Sequence, residues 1–235
     1  MLLYVIRHAE PIYEPDSLTE KGHLQAEALG KRLSINGLDK IYSSPMNRAL
    51  QTAKPICERL GIEPEILPWA SEAEASKDFG FHDPENNGRW SWSFGINPTR
   101  FKTDETLSDN WYDAFPFNLS NAKAGYERIS RESDAFTEKL GYKRCKNSYE
   151  ILRPNDERVA VFCHYGFGTT WLSYLLDIHP VRFWSTFDIN HSGVTVIEFA
   201  NYENGFTVPR VLAFSDVSHF YGEDLPYEFT GRIGL

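Results

Sequence analysis

The chain has 235 residues, of which 33 are acidic and 24 are Lys or Arg, for a net charge of −9, with 41% hydrophobic and 24% charged residues. That apolar share excludes a disordered chain, and the acidic balance excludes a broad nucleic-acid-binding or anionic-membrane surface, though not a small local anion site. Cys57, Cys145 and Cys163 are too few and too scattered for a disulfide framework, so a reducing, cytoplasmic setting is expected.

Leu2–Ile6 reads as a buried strand, too short for the apolar core of a signal peptide, and no apolar run approaches the roughly 18 residues of a membrane span. Arg7-His8-Ala9-Glu10 follows it, and Pro11 and Pro15 then forbid regular structure. Thr19 is placed to cap a helix in which Leu24, Ala28 and Leu33 form the apolar stripe and Asn36-Gly37 is the stop. Lys40–Ser43 is the next strand. Ser44-Pro45 opens a second helix with proline in its first turn, Arg48 close behind, Leu50, Ala53, Cys57 and Leu60 on the apolar face, and Gly61 at the end. Glu65–Leu67 is a third strand.

The strand–helix alternation of the first 70 residues predicts a parallel sheet. It breaks over 73–120, which shows no clean period and is rich in Trp and Phe, from Phe79 to Phe117. A structureless excursion of that length is improbable, so an inserted aromatic cap with a core of its own is expected. A helix over about Lys123–Leu140 and a hairpin within 141–156 follow. Val159–Cys163 is again a buried strand, then His164-Tyr165-Gly166, a helix over about Thr169–Leu176, a strand over Gly193–Phe199 and its partner over Val208–Phe214. The predicted architecture is α/β: a three-layer sandwich with a mostly parallel central sheet, helices on both faces and an inserted aromatic-rich cap segment. Residues 1–235 are expected to form one domain with the insertion at about 73–157.

Arg7-His8 and His164 each follow a buried strand directly, and Arg48 lies in the first helical turn after another. In an open parallel sheet these strand ends share one edge, where ligands bind. Two arginines and two histidines would meet there, joined by helix N-termini near Pro45 and Gly168. The set suits a compact dianion, phosphate above all, because the arginine fork matches its oxygens.

Three motifs carry a family resemblance. Arg7-His8-Ala9-Glu10, the run Tyr42-Ser43-Ser44-Pro45-Met46-Asn47-Arg48-Ala49-Leu50-Gln51-Thr52-Ala53, and Val161-Phe162-Cys163-His164-Tyr165-Gly166 resemble, in order, the signatures of the histidine phosphatase superfamily, phosphoglycerate mutase-like branch. Leu18-Thr19-Glu20-Lys21-Gly22 resembles the start of its first helix. The resemblance implies that His8 is the nucleophile, forming a phosphohistidine, and that Arg7, Arg48 and His164 hold the phosphoryl oxygens. It also implies a carboxylic acid after the third strand. Glu72 is the choice and Glu74 the near alternative. His8 would need its second ring nitrogen tied by a backbone carbonyl.

Glu14, Tyr165 and His191 are further residues expected near the pocket. Glu14 stands where the family has a hydrogen-bond donor, and Tyr165 where it has glycine. No cofactor and no metal are expected, since two arginines neutralise charge and no spaced ligand set is present. The predicted function is a phosphomonoester hydrolase acting on a small phosphorylated metabolite, with neither nucleic acid nor membrane as partner. The alternatives are a cofactor-dependent phosphoglycerate mutase and a non-catalytic phosphate-binding module on the same fold. Hydrolysis is preferred because Ser71–Phe79 lacks the mutase-type sequence around the acid.

Overall fold

The computed structural model describes residues 1–227; the last eight residues of the expected domain span lie outside the described residues. In chain order the strands are β1 (Leu2–Arg7), β2 (Pro11–Ile12), β3 (Ser17–Leu18), β4 (Lys40–Ser43), β5 (Glu65–Ile66), β6 (Gly80–Asp83), β7 (Arg89–Trp92), β8 (Tyr142–Cys145), β9 (Ser148–Ile151), β10 (Arg158–Cys163), β11 (Val194–Glu198), β12 (Phe206–Thr207) and β13 (Arg210–Asp216). The helices are α1 (Glu20–Ser34), α2 (Asn47–Leu60), α3 (Glu72–Phe79), α4 (Pro98–Phe101), α5 (Ala122–Lys139), α6 (Tyr165–Leu175) and α7 (Pro180–Trp184).

Six strands form the central sheet in the order β13-β11-β1-β10-β4-β5. β1, β10, β4 and β5 run parallel; at one side β11 pairs antiparallel with β1, and the outer β13 pairs antiparallel with β11 and so runs in the direction of β1. Their apolar runs alternate faces. Leu3, Val5, Val159 and Val161 point into one core with Phe136, Phe167 and Trp171, whereas Ile6, Ile41, Ala160 and Phe162 pack against Leu29, Ala53 and Ile56 of α1 and α2. The three expected layers are therefore present, with β11 and β13 paired as predicted.

The aromatic segment departs from expectation. It has no core of its own: Phe79, Phe94, Phe101, Trp111 and Phe117 belong to the same buried cluster as Leu3, Val5 and Val161. Their rings meet edge-on or offset around Trp184, for example Trp111 at 5.4 Å and Phe117 at 5.4 Å between centroids. The segment also holds regular structure, namely α3, the β6–β7 hairpin and α4. Its aromatics serve a shared core from irregular backbone, which is why they follow no period. Leu24 is likewise a correction. It is 58% exposed, and the buried stripe of α1 runs through Gln25, Ala26, Leu29 and Leu33 instead.

Two helix starts differ from the sequence expectation. Pro45 lies before α2, which begins at Asn47, and α6 begins at Tyr165, four residues ahead of Thr169. Both shifts have causes remote in sequence that lie in the site itself. Among the described residues no helix is long and apolar enough to cross a membrane, and Cys57, Cys145 and Cys163 are free thiols.

Candidate active site

The parallel register brings the motifs together. Arg7 pairs with Cys163 and Ser43 with Phe162, so the residues just past each strand, His8, His164 and Ser44, emerge side by side at the carboxyl edge. Backbone bonds from His8 N–H to the Cys163 carbonyl (2.8 Å) and from Ser44 N–H to the Phe162 carbonyl (2.9 Å) extend the pairing one residue beyond the strands. Antiparallel β11 begins at that edge, and the turn before it delivers His191 and Ser192. The Ser192 N–H donates to the His8 carbonyl at 3.1 Å.

His8 is 3% exposed. Its Nδ1 lies 2.7 Å from the Ala9 carbonyl, which can only accept, so Nδ1 carries the hydrogen and Nε2 keeps its lone pair. Burial, then His164 and Arg7, hold its pKa well below the usual imidazole range. The His164 ring centroid is 5.1 Å away and that of His191 is 5.7 Å away. His164 is fully buried, with Nε2 at 2.7 Å from Ser44 Oγ and Nδ1 without a partner among the described residues. Burial, followed by Arg48 and Arg7, also depresses its pKa.

Arg7 donates through Nη1 to the Ile189 carbonyl (2.6 Å) and through Nη2 to His191 Nε2 (2.8 Å). The donation makes His191 a neutral acceptor there, and burial together with Arg7 lowers its pKa to about 3. Arg48 sits in the first turn of α2, where Nη1 bonds Asp16 Oδ1 at 2.7 Å while Asp16 Oδ2 accepts the Asn47 N–H at 2.7 Å. Asp16 thus supplies the N-terminal cap that Met46 cannot, and sets the start of α2. The Nε–H groups of both arginines are buried and unpartnered among the described residues. Thr52 ties the two motifs together, accepting from Ala9 N–H (2.9 Å) and donating to the Arg48 carbonyl (2.7 Å).

Glu72, the first residue of α3, is half-buried. Its carboxylate oxygens accept from the backbone N–H groups of Gly166 (2.8 Å) and Phe167 (2.9 Å). Those are first-turn donors of α6, which otherwise have no intrahelical acceptor, so Glu72 caps a helix 93 residues ahead of its first residue, Tyr165. Burial raises the Glu72 pKa, against the opposing pull of these N–H groups and of Arg48 and Arg7. Gly166 leaves the needed room, because a Cβ there would lie 2.8 Å from the Trp92 ring and 3.2 Å from Glu72 Oε1. Glu74 faces solvent and pairs with Lys77 at 2.7 Å.

Arg7, His8, Arg48, Glu72, His164 and His191 therefore converge. Tyr165 adjoins them, its ring 5.2 Å from the Arg7 guanidinium carbon and its hydroxyl pKa pushed up to about 12, first by burial. Glu14 is exposed and bonded to none of these groups. From the same loop Tyr13 lies over the Arg48 guanidinium at 5.5 Å, and Asp16 makes the ion pair. The sequence reading missed Asp16, Ser44 and Thr52. Only Ser44 carried a signal, as a hydroxyl directly after a buried strand. Among the described residues no group of three or more His, Cys, Asp and Glu is placed to hold a metal.

Fold and site together define an α/β protein whose parallel-sheet edge gathers two arginines and a buried, neutral histidine. Residues 3–108 match the model of the histidine phosphatase superfamily (branch 1). Adenosylcobalamin/alpha-ribazole phosphatase from Salmonella typhi is 24% identical over 201 residues, spanning 78% of this chain and 84% of that enzyme. The 2,3-bisphosphoglycerate-dependent phosphoglycerate mutase of Brucella ovis is 38% identical over 65 residues, spanning 27% of this chain and 31% of the mutase. The crystal structure of Entamoeba histolytica phosphoserine phosphatase with 3-phosphoglyceric acid shares the fold, with a TM-score of 0.61 at 20% identity over 93% of this chain and 98% of that one. In residues 3–108, just under half of its 235 residues, and in its fold, the chain is similar to the histidine phosphatase superfamily.

Proposed function

We propose that the chain is a phosphomonoester hydrolase acting on a small phosphorylated metabolite through a phosphohistidine at His8. The observation that carries the reading is the buried His8 ring, whose Nδ1–H is held by the Ala9 carbonyl so that Nε2 offers its lone pair amid Arg7, Arg48 and His164. In the first step Nε2 bonds to phosphorus as the bond to the ester oxygen breaks, and Glu72 gives that oxygen its proton. In the second step water adds to phosphorus as the P–N bond breaks, and the Glu72 carboxylate takes the water proton, which restores both groups. Arg7, Arg48 and His164 bear the charge of the transferring group, a task a metal performs in other phosphoryl-transfer sites. Ser44 Oγ accepts from Met46 N–H and lies 2.7 Å from His164 Nε2; on this reading the hydroxyl donates to Nε2, and Nδ1–H, which has no partner among the described residues, is the donor to a phosphoryl oxygen.

On the same reading residues 1–235 form one domain with 73–157 as its insertion, supported by the core they share with the sheet. The free thiols suit a cytoplasmic setting.

The test is phosphate release from alkyl monoesters by the wild type and by His8→Ala. The variant is expected to lose turnover, keep phosphate binding, and lose the acid-labile phosphoryl adduct that the wild type accumulates. Wild-type activity should survive EDTA. Normal turnover of His8→Ala refutes the mechanism. Product formation that requires a bisphosphoglycerate and frees no phosphate would make the chain a mutase.

A further inference from the structure

Arg7 and His8 rest on one turn, and that turn is gripped from near the end of the described chain. Residues 189–193 give Arg7 its acceptors: the Ile189 carbonyl for Nη1 (2.6 Å), His191 Nε2 for Nη2 (2.8 Å) and the Gly193 carbonyl for the backbone N–H (3.3 Å). From the same turn the Ser192 N–H donates to the His8 carbonyl at 3.1 Å. The lie of this turn therefore sets both the guanidinium and the backbone of the proposed nucleophile.

The turn needs outside support. Ser192 has a φ of +53°, in the left-handed region that is uncommon for any residue with a Cβ, and its side chain is fully buried. Such a conformation persists only where surrounding contacts impose it. Ser215 of β13 and His219 beyond it make those contacts. Ser215 Oγ accepts the Asn190 N–H at 2.8 Å, and His219 Nε2 lies 2.9 Å from Ser192 Oγ. On the other side of the His219 ring, Arg32 Nη1 faces Nδ1 at 3.4 Å, and a guanidinium can only donate. Burial, then Arg32, lowers the His219 pKa to about 3, so the ring is neutral. With Nδ1 as acceptor, its one hydrogen lies on Nε2 and points to Ser192 Oγ. The segment that carries His219, Ser218–Glu223, is moored to α1 by the ion pairs Arg32–Asp216 beside it and Lys31–Glu223 (2.7 Å).

Resting on the phosphatase reading above, we propose that His219 is a positioning residue for phosphoryl transfer: its hold on Ser192 Oγ fixes the 189–193 turn and so aligns Arg7 and His8. Released from His219, Ser192 can leave the left-handed region, which takes its N–H off the His8 carbonyl and His191 off Arg7 Nη2. A misplacement of about 1 Å caused far from the chemistry can cost about 10²-fold in rate.

The test is hydrolysis of p-nitrophenyl phosphate, with inorganic phosphate as competitive inhibitor, by the full chain and its variants below their unfolding temperatures. His219→Leu fills the space without the donor. It should lower kcat by about tenfold or more and raise the phosphate Ki by about tenfold. In His219→Gln an amide N–H can reach Ser192 Oγ, and kcat should return to within about threefold of the wild type. A purely structural role would lower Tm and leave the kcat and Ki of the folded enzyme unchanged. Because the hold runs through one hydroxyl, Ser192→Ala should lose as much as His219→Leu, and the double variant no more than either. Wild-type kcat and Ki in folded His219→Leu overturn the role, as do losses that multiply in the double variant, and the phosphatase reading then still stands. Should His219→Leu not fold, Ser192→Ala must be impaired where His219→Gln is not, and equal values for the two overturn the role. Absence of phosphate release by the wild type overturns the phosphatase reading and this role with it.

Discussion

At the scale of single residues, the site depends on two pKa shifts of opposite sign. The proposed reaction needs a neutral His8 and a protonated Glu72 together, and ordinary values give the reverse, an imidazolium beside a carboxylate at mildly acidic pH. Burial corrects both, because it disfavours the charged form of each, lowering His8 and raising Glu72. Neutral His8 then persists to lower pH and protonated Glu72 to higher pH, and their overlap widens. The kcat/KM of an alkyl phosphate should accordingly fall as pH rises through the elevated Glu72 pKa. Glu72→Gln should abolish that basic limb and slow alkyl esters by about 10²–10⁴-fold. Esters with good leaving groups should suffer less, because they need no protonation. Glu74→Gln should leave the profile unchanged, as its carboxylate is solvated and paired with Lys77. If Glu74→Gln reproduced the Glu72 phenotype in a pH–rate series, the acid assignment would fail.

Secondary-structure elements are positioned by partners far along the chain. The N-terminus of α6 is held by Glu72 and that of α2 by Asp16. Local propensity therefore misplaced both starts, since a glycine-rich turn at 166–168 and Ser44-Pro45 say nothing about a carboxylate arriving from another loop. By contrast α1 carries its own cap, the Thr19 hydroxyl accepting from Gly22 N–H at 2.9 Å, and its start was legible from sequence. Gly22 has a further role there. A Cβ at that position would lie 2.2 Å from the Glu10 carbonyl oxygen, which accepts the Thr19 N–H at 3.0 Å. Gly22→Ala should push α1 off the loop that follows His8. We expect about 1–3 kcal/mol of destabilisation and a Tm lower by several degrees, read by thermal unfolding, together with a reduced kcat. An unchanged Tm would mean that the helix accommodates the methyl and does not brace the loop.

Across the whole molecule, the aromatic segment and the sheet are one packing problem. Trp111 is 5% exposed and its ring meets Tyr112, Phe117, Tyr126 and Trp184 at centroid distances of 5.1 to 5.7 Å. Trp111→Ala should cost about 3–5 kcal/mol and lower Tm by roughly 10 °C. A fall in Tm confined to a separate, early transition would show that the segment folds apart from the sheet. The net charge of −9 coexists with a cationic pocket because Arg7 and Arg48 are gathered by register from positions 41 residues apart, inside an acidic surface. The sequence by itself determined the sheet-forming strands, the capped first helix and the three motifs, because short-range periodicity, caps and strand-end residues are local properties of the chain. Only the tertiary structure decided which acid faces the pocket, that Asp16 rather than Glu14 serves Arg48, and that the aromatic residues of 73–120 share the sheet's core. Each of those depends on contacts across dozens of residues, and burial, which sets the pKa of His8 and Glu72, exists only once those contacts have formed.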